Sequence, residues 1–256
     1  MTWRSGAAAS PPVRPVPLVA VAHGSRDPRA AETVQDLLDL VRRARPDLPV
    51  RTAYLDHASP TLPAALSGLT EAVVLPLLLT EAYHSRVDIP GALAAVTARR
   101  PRLRVRTGTT LGPHPLLVDA LERRLAEAGA RADDPGTAVV LVSAGSGDRR
   151  ANETVAGIAR EWEARRGGRV VAAYASAAGP APEEAVLDLR RSGAARIVVA
   201  PYLLAPGHFA DRIRRETLAA GAEVVAEVLG AAPEVAAVLL ERYDLAAHRP
   251  RMLATA

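Results

Sequence analysis

The chain has no cysteine and no lysine among its 256 residues. Without cysteine there are no disulfides, no thiolate metal sites, no cysteine-ligated iron–sulfur clusters and no cysteine nucleophile. The same absence fits a cytoplasmic protein. Without lysine, all the basic charge sits on arginine, and the formal net charge is +4 with a pI near 10.1. Arginine grips carboxylate and phosphate bidentately, so a polyanionic small molecule is a fitting partner. A coding bias towards Arg and Ala, with the charges spread over a solvated surface, explains the same composition. Aromatic residues make up only 3% of the chain, so Val, Leu, Ala and Ile must build the core. No basic block carries interleaved aromatics of the kind that binds single strands, and no nucleic-acid partner is expected. No apolar run approaches the roughly 20 residues that span a bilayer, so no membrane partner is expected either. Residues 1–15 lack the long apolar stretch of a secretory signal, and their Ala, Ser and Pro content predicts a disordered tail.

What is present is an alternation of short apolar runs and amphipathic stretches. Val16–Ala22 (VPLVAVA) reads as a buried strand that ends at His23-Gly24-Ser25-Arg26-Asp27-Pro28. From Ala30 to Arg43 the spacing of Val34, Leu37, Leu38 and Val41 predicts a helix with one apolar face. Val50–Leu55 is a second strand, ending at Asp56 and His57, and Ser59-Pro60 starts a helix that Gly68 closes. Val73–Leu79 is a third strand, broken at Thr80-Glu81 and followed by Tyr83 and His84. A helix from Gly91 to Arg99, a strand from Leu103 to Thr107 and a helix from Leu116 to Ala128 complete the series. Alternating strands and helices predict an α/β fold with a parallel sheet. In such sheets ligands bind beyond the carboxyl ends of the strands. His23, Asp56 and His84 each follow a different strand and are expected on one rim.

After a Gly/Asp/Pro-rich linker at 129–137 the pattern repeats with a period of about 120 residues. GSRDPRAAETV at Gly24–Val34 and GSGDRRANETV at Gly145–Val155 agree at eight of eleven positions. YLDHASP at Tyr54–Pro60 matches YASAAGP at Tyr174–Pro180. A period this long marks a duplicated domain rather than a solenoid, giving domains over 16–130 and 137–247. The duplication supplies an internal comparison. His23 becomes Ala144, Asp56 becomes Ser176 and His114 becomes Ala232, whereas His84 persists as His208. Framework glycines, serines and prolines survive while two of three candidate ligands vanish together. The first domain is therefore read as holding a complete site and the second a degenerate one.

Two neutral imidazoles and a carboxylate can hold a divalent first-row metal and leave positions open. Mg²⁺ and Ca²⁺ prefer all-oxygen shells, which leaves iron(II), cobalt(II), nickel(II) and zinc. The strand–His-Gly-Ser–helix turn also suits phosphate binding at a helix N-terminus, although the glycines and lysine of a P-loop are missing. In the histidine phosphatases an arginine precedes His-Gly; here that residue is Ala22. A Ser25–His84–Asp56 triad can be drawn, but no GxSxG elbow accompanies it.

Taken together, HGSRDP at His23–Pro28, YLDHASPTLPAAL at Tyr54–Leu66, HSRVDIP at His84–Pro90 and LGPHPLL at Leu111–Leu117 resemble the sirohydrochlorin chelatase family. The resemblance is to its long, two-domain form, related to the cobalt chelatases of cobalamin synthesis. It implies two tandem flavodoxin-like (chelatase-like) lobes, each a parallel sheet of about four strands flanked by helices, facing one cleft. It implies a lyase that inserts Fe²⁺ or Co²⁺, with Ni²⁺ as a further option, into the tetrapyrrole polycarboxylate sirohydrochlorin, for siroheme or cobalamin. The family's metal-binding histidines fall on His23 and His84. Its acidic partner, usually glutamate, falls on Asp56, one methylene shorter. Ser25, Arg26 and Arg86 stand where substrate carboxylates would be held, and Tyr83 stands where a small residue is common. The reaction calls for no cofactor beyond the metal substrate, and a monomer supplies both lobes. Two other readings of the same residues are a metal-delivery protein without chelatase activity and a phosphate-handling α/β enzyme.

Overall fold

The structure, a computed structural model, describes residues 15–81, 88–130 and 136–248. The first repeat runs β1 (Leu18–Ala22), α1 (Pro28–Ala44), β2 (Val50–Tyr54), α2 (Leu62–Ala65), β3 (Glu71–Pro76), α3 (Ile89–Arg99), β4 (Arg104–Thr107) and α4 (Pro115–Glu127). The second runs β5 (Thr137–Ser143), α5 (Arg149–Arg166), β6 (Val170–Tyr174), α6 (Pro182–Arg191), β7 (Arg196–Tyr202), α7 (His208–Ala220), β8 (Val224–Val225) and α8 (Pro233–His248). The strands form two four-stranded sheets, ordered β2-β1-β3-β4 and β6-β5-β7-β8, with every pair parallel. Helices flank both sheets. Every residue of the central strands β1 and β5 is buried, which is why they read as unbroken apolar runs rather than alternating ones. Charge returns at the edge, where β4 carries Arg104 and Arg106.

Helix α1 starts where the sequence directs it. The Asp27 carboxylate accepts from the Arg29 N–H, Pro28 occupies the first turn, and Val34, Leu37, Leu38 and Val41 are the buried face. Two expectations need correction. The helix foreseen from Ser59 shrinks to the four residues of α2, because the Pro60 carbonyl accepts from the Tyr54 N–H at 2.9 Å and folds 55–60 back onto the strand. Strand β3 ends at Pro76 rather than Leu79. Leu77, Leu78 and Leu79 extend the apolar run, but they line cavities beyond the sheet.

The last helix of each repeat packs on the other repeat's sheet. Helix α4 lies against β7 and α8, while α8 lies against α1, β3 and β4. The inner faces of both sheets therefore share one core, in which Leu18, Leu75 and Leu121 join Leu141, Val198 and Leu239. Separate clusters under α2–α3 and under α6–α7 cover the two outer faces. Polar ties follow the exchange. Arg242 of α8 donates to the carbonyls of Thr110, Leu111 and Pro113, and Arg124 of α4 donates to the Leu229 carbonyl. Arg123 of α4 pairs with Glu234 of α8 at 2.7 Å and holds that carboxyl below its usual range. No described helix is long and apolar enough to cross a membrane.

Candidate functional site

In each sheet the strand order reverses between the first and third strands of the repeat, β1 and β3 or β5 and β7. The crevice at such a reversal is where this class of sheet binds ligands. A cavity of about 200 Å³ opens at the first reversal, lined by Ala22–Ser25, Tyr54, Leu77 and Leu78, and closed by Leu204, Ala205 and Pro206 of the other repeat. A second, of about 250 Å³, opens at the other reversal beside Ser143–Ser146 and Asn152, and is closed by Leu77–Thr80. Leu77, Leu78 and Leu204 line both. The two cavities are thus halves of one cleft between the sheets, with largely apolar walls. The Tyr202 hydroxyl spans that cleft's floor, donating to the Leu79 carbonyl at 3.2 Å. Burial pushes its pKa up, so it stays a neutral donor.

His23 is the first residue past β1 and is exposed at the mouth of the first cavity. Its carbonyl accepts from the Asp56 N–H at 2.9 Å, which joins the loop after β1 to the loop after β2. Gly24, at φ +95°, makes this approach possible: a Cβ there would lie 1.8 Å from the Asp56 carbonyl oxygen. Asp56 projects into solvent with its side chain 62% exposed. Both of its carboxylate oxygens are met by the next residue, Oδ1 by the His57 N–H at 2.8 Å and Oδ2 by His57 Nε2 at 3.2 Å.

The other sequence-predicted residues divide. The Ser25 hydroxyl oxygen accepts from the Asp27 N–H at 3.0 Å, and Ser146 does the same for Asp148 in the second repeat. Arg26 is exposed in the turn before α1. His84 and Arg86 lie outside the described residues, as do Tyr83 and residues 1–14 of the expected tail. His23 and Asp56 are thus brought to one rim. Among the described residues no group of three or more His, Cys, Asp or Glu forms a metal cage. His114 caps α4 through Nδ1, which accepts from the Leu116 N–H, so its proton sits on Nε2 facing Glu241 of α8 at 3.1 Å. His208 opens α7 and is exposed.

One polar link at the cleft was not signalled by any motif. Arg29 reaches Asp27 in its own turn and Asp211 of α7 across the cleft, both at 2.6 Å. The guanidinium holds both carboxyls below their ordinary range. The pair joins the His23 turn to the helix that begins at His208.

The second repeat keeps this framework and reverses its polarity. Gly145 sits at φ +81°, with a would-be Cβ 1.9 Å from the Ser176 carbonyl oxygen. The Ser176 hydroxyl, in the place of the Asp56 carboxylate, donates to the Ala144 carbonyl at 2.8 Å. Asn152 accepts from the Ser146 N–H and donates to the Ser146 carbonyl.

A family model described as CbiX matches the chain twice, over residues 17–128 and 138–246. A sirohydrochlorin cobaltochelatase of Priestia megaterium is 27% identical over 202 residues, covering 75% of this chain and 65% of that protein, slightly under two thirds of its length. A sirohydrochlorin ferrochelatase of Bacillus subtilis is 29% identical over 203 residues, covering 77% of each. Among solved structures, SirB from Bacillus subtilis with Fe³⁺ superposes with a TM-score of 0.81 at 26% identity, covering 91% of this chain and 96% of that one.

Proposed function

The chain belongs to the CbiX family, and from that premise we propose that it is a sirohydrochlorin metal chelatase, inserting Fe²⁺ or Co²⁺ into the macrocycle in siroheme or cobalamin synthesis. The observation that carries the reading is the cleft itself. His23 stands at the mouth of an apolar crevice at one strand-order reversal, a backbone hydrogen bond ties its loop to that of Asp56, and the other sheet closes the crevice. Relatives named for iron and for cobalt are similar at nearly equal identity, so both metals belong in the proposal.

The chemistry sets the roles. The macrocycle loses two pyrrolic protons as one divalent cation enters, so the site must deliver a weakly held metal and take up protons. A neutral imidazole does both. We assign that work to His23 and His84, with Asp56 as the carboxylate that balances the cation's charge or orients an imidazole. Ser25, Arg26 and Arg86 remain our assignments for the acetate and propionate groups. The span 16–130 carries the working site, and 137–247 supplies the opposite wall. One chain holds both walls, which supports a monomer. The cysteine-free composition supports a reaction in the cytoplasm, and the site residues require no cofactor besides the metal substrate.

The test is direct. The full chain is incubated with sirohydrochlorin and Fe²⁺, Co²⁺ or Ni²⁺ in turn, and the visible spectrum of the macrocycle is followed. Enzyme-dependent conversion to the metallated spectrum is expected with Fe²⁺ or Co²⁺. Metal binding without conversion would favour a metal-delivery protein instead.

A further inference from the structure

Among the described residues, both carboxylate oxygens of Asp56 lie against the next residue, His57. The backbone N–H of His57 donates to Oδ1 at 2.8 Å, and the ring nitrogen Nε2 lies 3.2 Å from Oδ2, within ion-pair distance. The clamp requires the unusual backbone of His57, which lies in the left-handed region at φ 58°. A side chain with a Cβ rarely adopts that region. The second repeat has the same conformation at the matching residue, Ala177, at φ 59°. The left-handed turn is therefore part of the shared framework, and the imidazole is an addition found only where the other ligand-type residues survive. His57 is lost in the same half of the chain as His23 and Asp56.

We propose that His57 is a positioning residue: it fixes the exposed Asp56 carboxylate in one orientation at the cleft rim, ready for the divalent cation. An exposed aspartate otherwise samples several rotamers, and fixing it before the metal arrives removes that loss of freedom from binding. Each oxygen of the carboxylate retains a lone pair for the cation. The proposal rests on the chelatase reading, in which Asp56 belongs to the metal site.

Ala177 shows that alanine is compatible with this turn, so His57→Ala should fold and melt like the parent. Calorimetric titration of the full chain with Co²⁺ should show affinity reduced about 10-fold, within the range seen when partners of metal ligands are removed. The KM for metal should rise in parallel, and the KM for sirohydrochlorin should stay unchanged. His57→Asn should restore most of the loss, since asparagine tolerates the left-handed region and its amide can donate to Asp56. In an Asp56→Ala background, His57→Ala should have no further effect. Unchanged Co²⁺ affinity in His57→Ala would overturn the proposal. So would an undiminished effect in the Asp56→Ala background, which would make His57 a ligand in its own right. A parent chain that inserts no metal would refute the chelatase reading; a parent that does, with His57→Ala its equal, would refute only the positioning role.

Discussion

The two strand–loop–helix turns at Gly24 and Gly145 share a backbone and differ in where their polar groups point. In the second repeat the loop is satisfied from within. Ser176 closes on the Ala144 carbonyl, and Asn152 bonds both the N–H and the carbonyl of Ser146. In the first repeat Ala31 stands in place of Asn152 and Asp56 in place of Ser176. The Asp56 carboxylate is turned out to solvent and, among the described residues, is met by its neighbour His57. The glycine, the serine turn and the aspartate cap are common to both. What is common to the two turns builds the fold. What differs is a set of side chains that makes the second loop self-contained and leaves the first loop with His23 at the cavity mouth and the Asp56 carboxylate exposed.

That contrast can be broken most sharply at the acidic position. Asp56→Ala should slow metal insertion about 10–100-fold, as loss of a metal-site partner typically does. Ser176→Ala should leave insertion unchanged and cost about 1 kcal/mol of stability through one lost hydrogen bond. Initial rates and thermal melting of the two variants separate these outcomes. Equal loss of activity would place catalysis in both repeats.

The exchanged helices sharpen the comparison from the other side. Leu121 of α4 and Leu239 of α8 are both fully buried in the shared core. Truncating either to alanine should destabilise the whole chain by about 2–5 kcal/mol. Because the core is single, each variant should melt in one transition, followed by circular dichroism and calorimetry together. Two transitions, with only one shifted, would mean that the repeats fold independently.

The smallest effect is expected from acid. The folded-state pKa values of Asp211 and Glu234 are lowered by Arg29 and Arg123 respectively. A depressed carboxyl contributes stability that is present above its unfolded pKa, about 4, and lost as pH falls through the folded value. The ties between the repeats should therefore loosen only below the ordinary carboxylate range, giving a modest drop in melting temperature. Glu234→Gln should flatten that drop.

Much of this was legible in the sequence because it was written in local chemistry. Apolar runs gave the central strands, the spacing of Val34, Leu37, Leu38 and Val41 gave the buried face of α1, and the repeat exposed the uneven fate of His23 and Asp56. Three features were hidden for physical reasons. The apolar signal of Leu77–Leu79 is the same whether leucine faces a sheet or a cleft, so the end of β3 was read three residues too late. The exchange of α4 and α8 is a matter of which amphipathic face meets which sheet, and periodicity does not encode a partner. The link from Arg29 to Asp211 joins residues 182 positions apart through exposed side chains that resemble any surface pair. His57 was within reach, since the aligned YLDHASP and YASAAGP segments already show it replaced by Ala177.

The central claim is that one of two corresponding sites does the work, and one pair of variants measures it. Initial rates of Co²⁺ and Fe²⁺ insertion into sirohydrochlorin should fall to the uncatalysed level in His23→Ala. They should stay within about twofold of the parent in His208→Ala, surface changes away from key contacts being nearly neutral. Activity retained in His23→Ala, or lost equally in His208→Ala, would contradict the account.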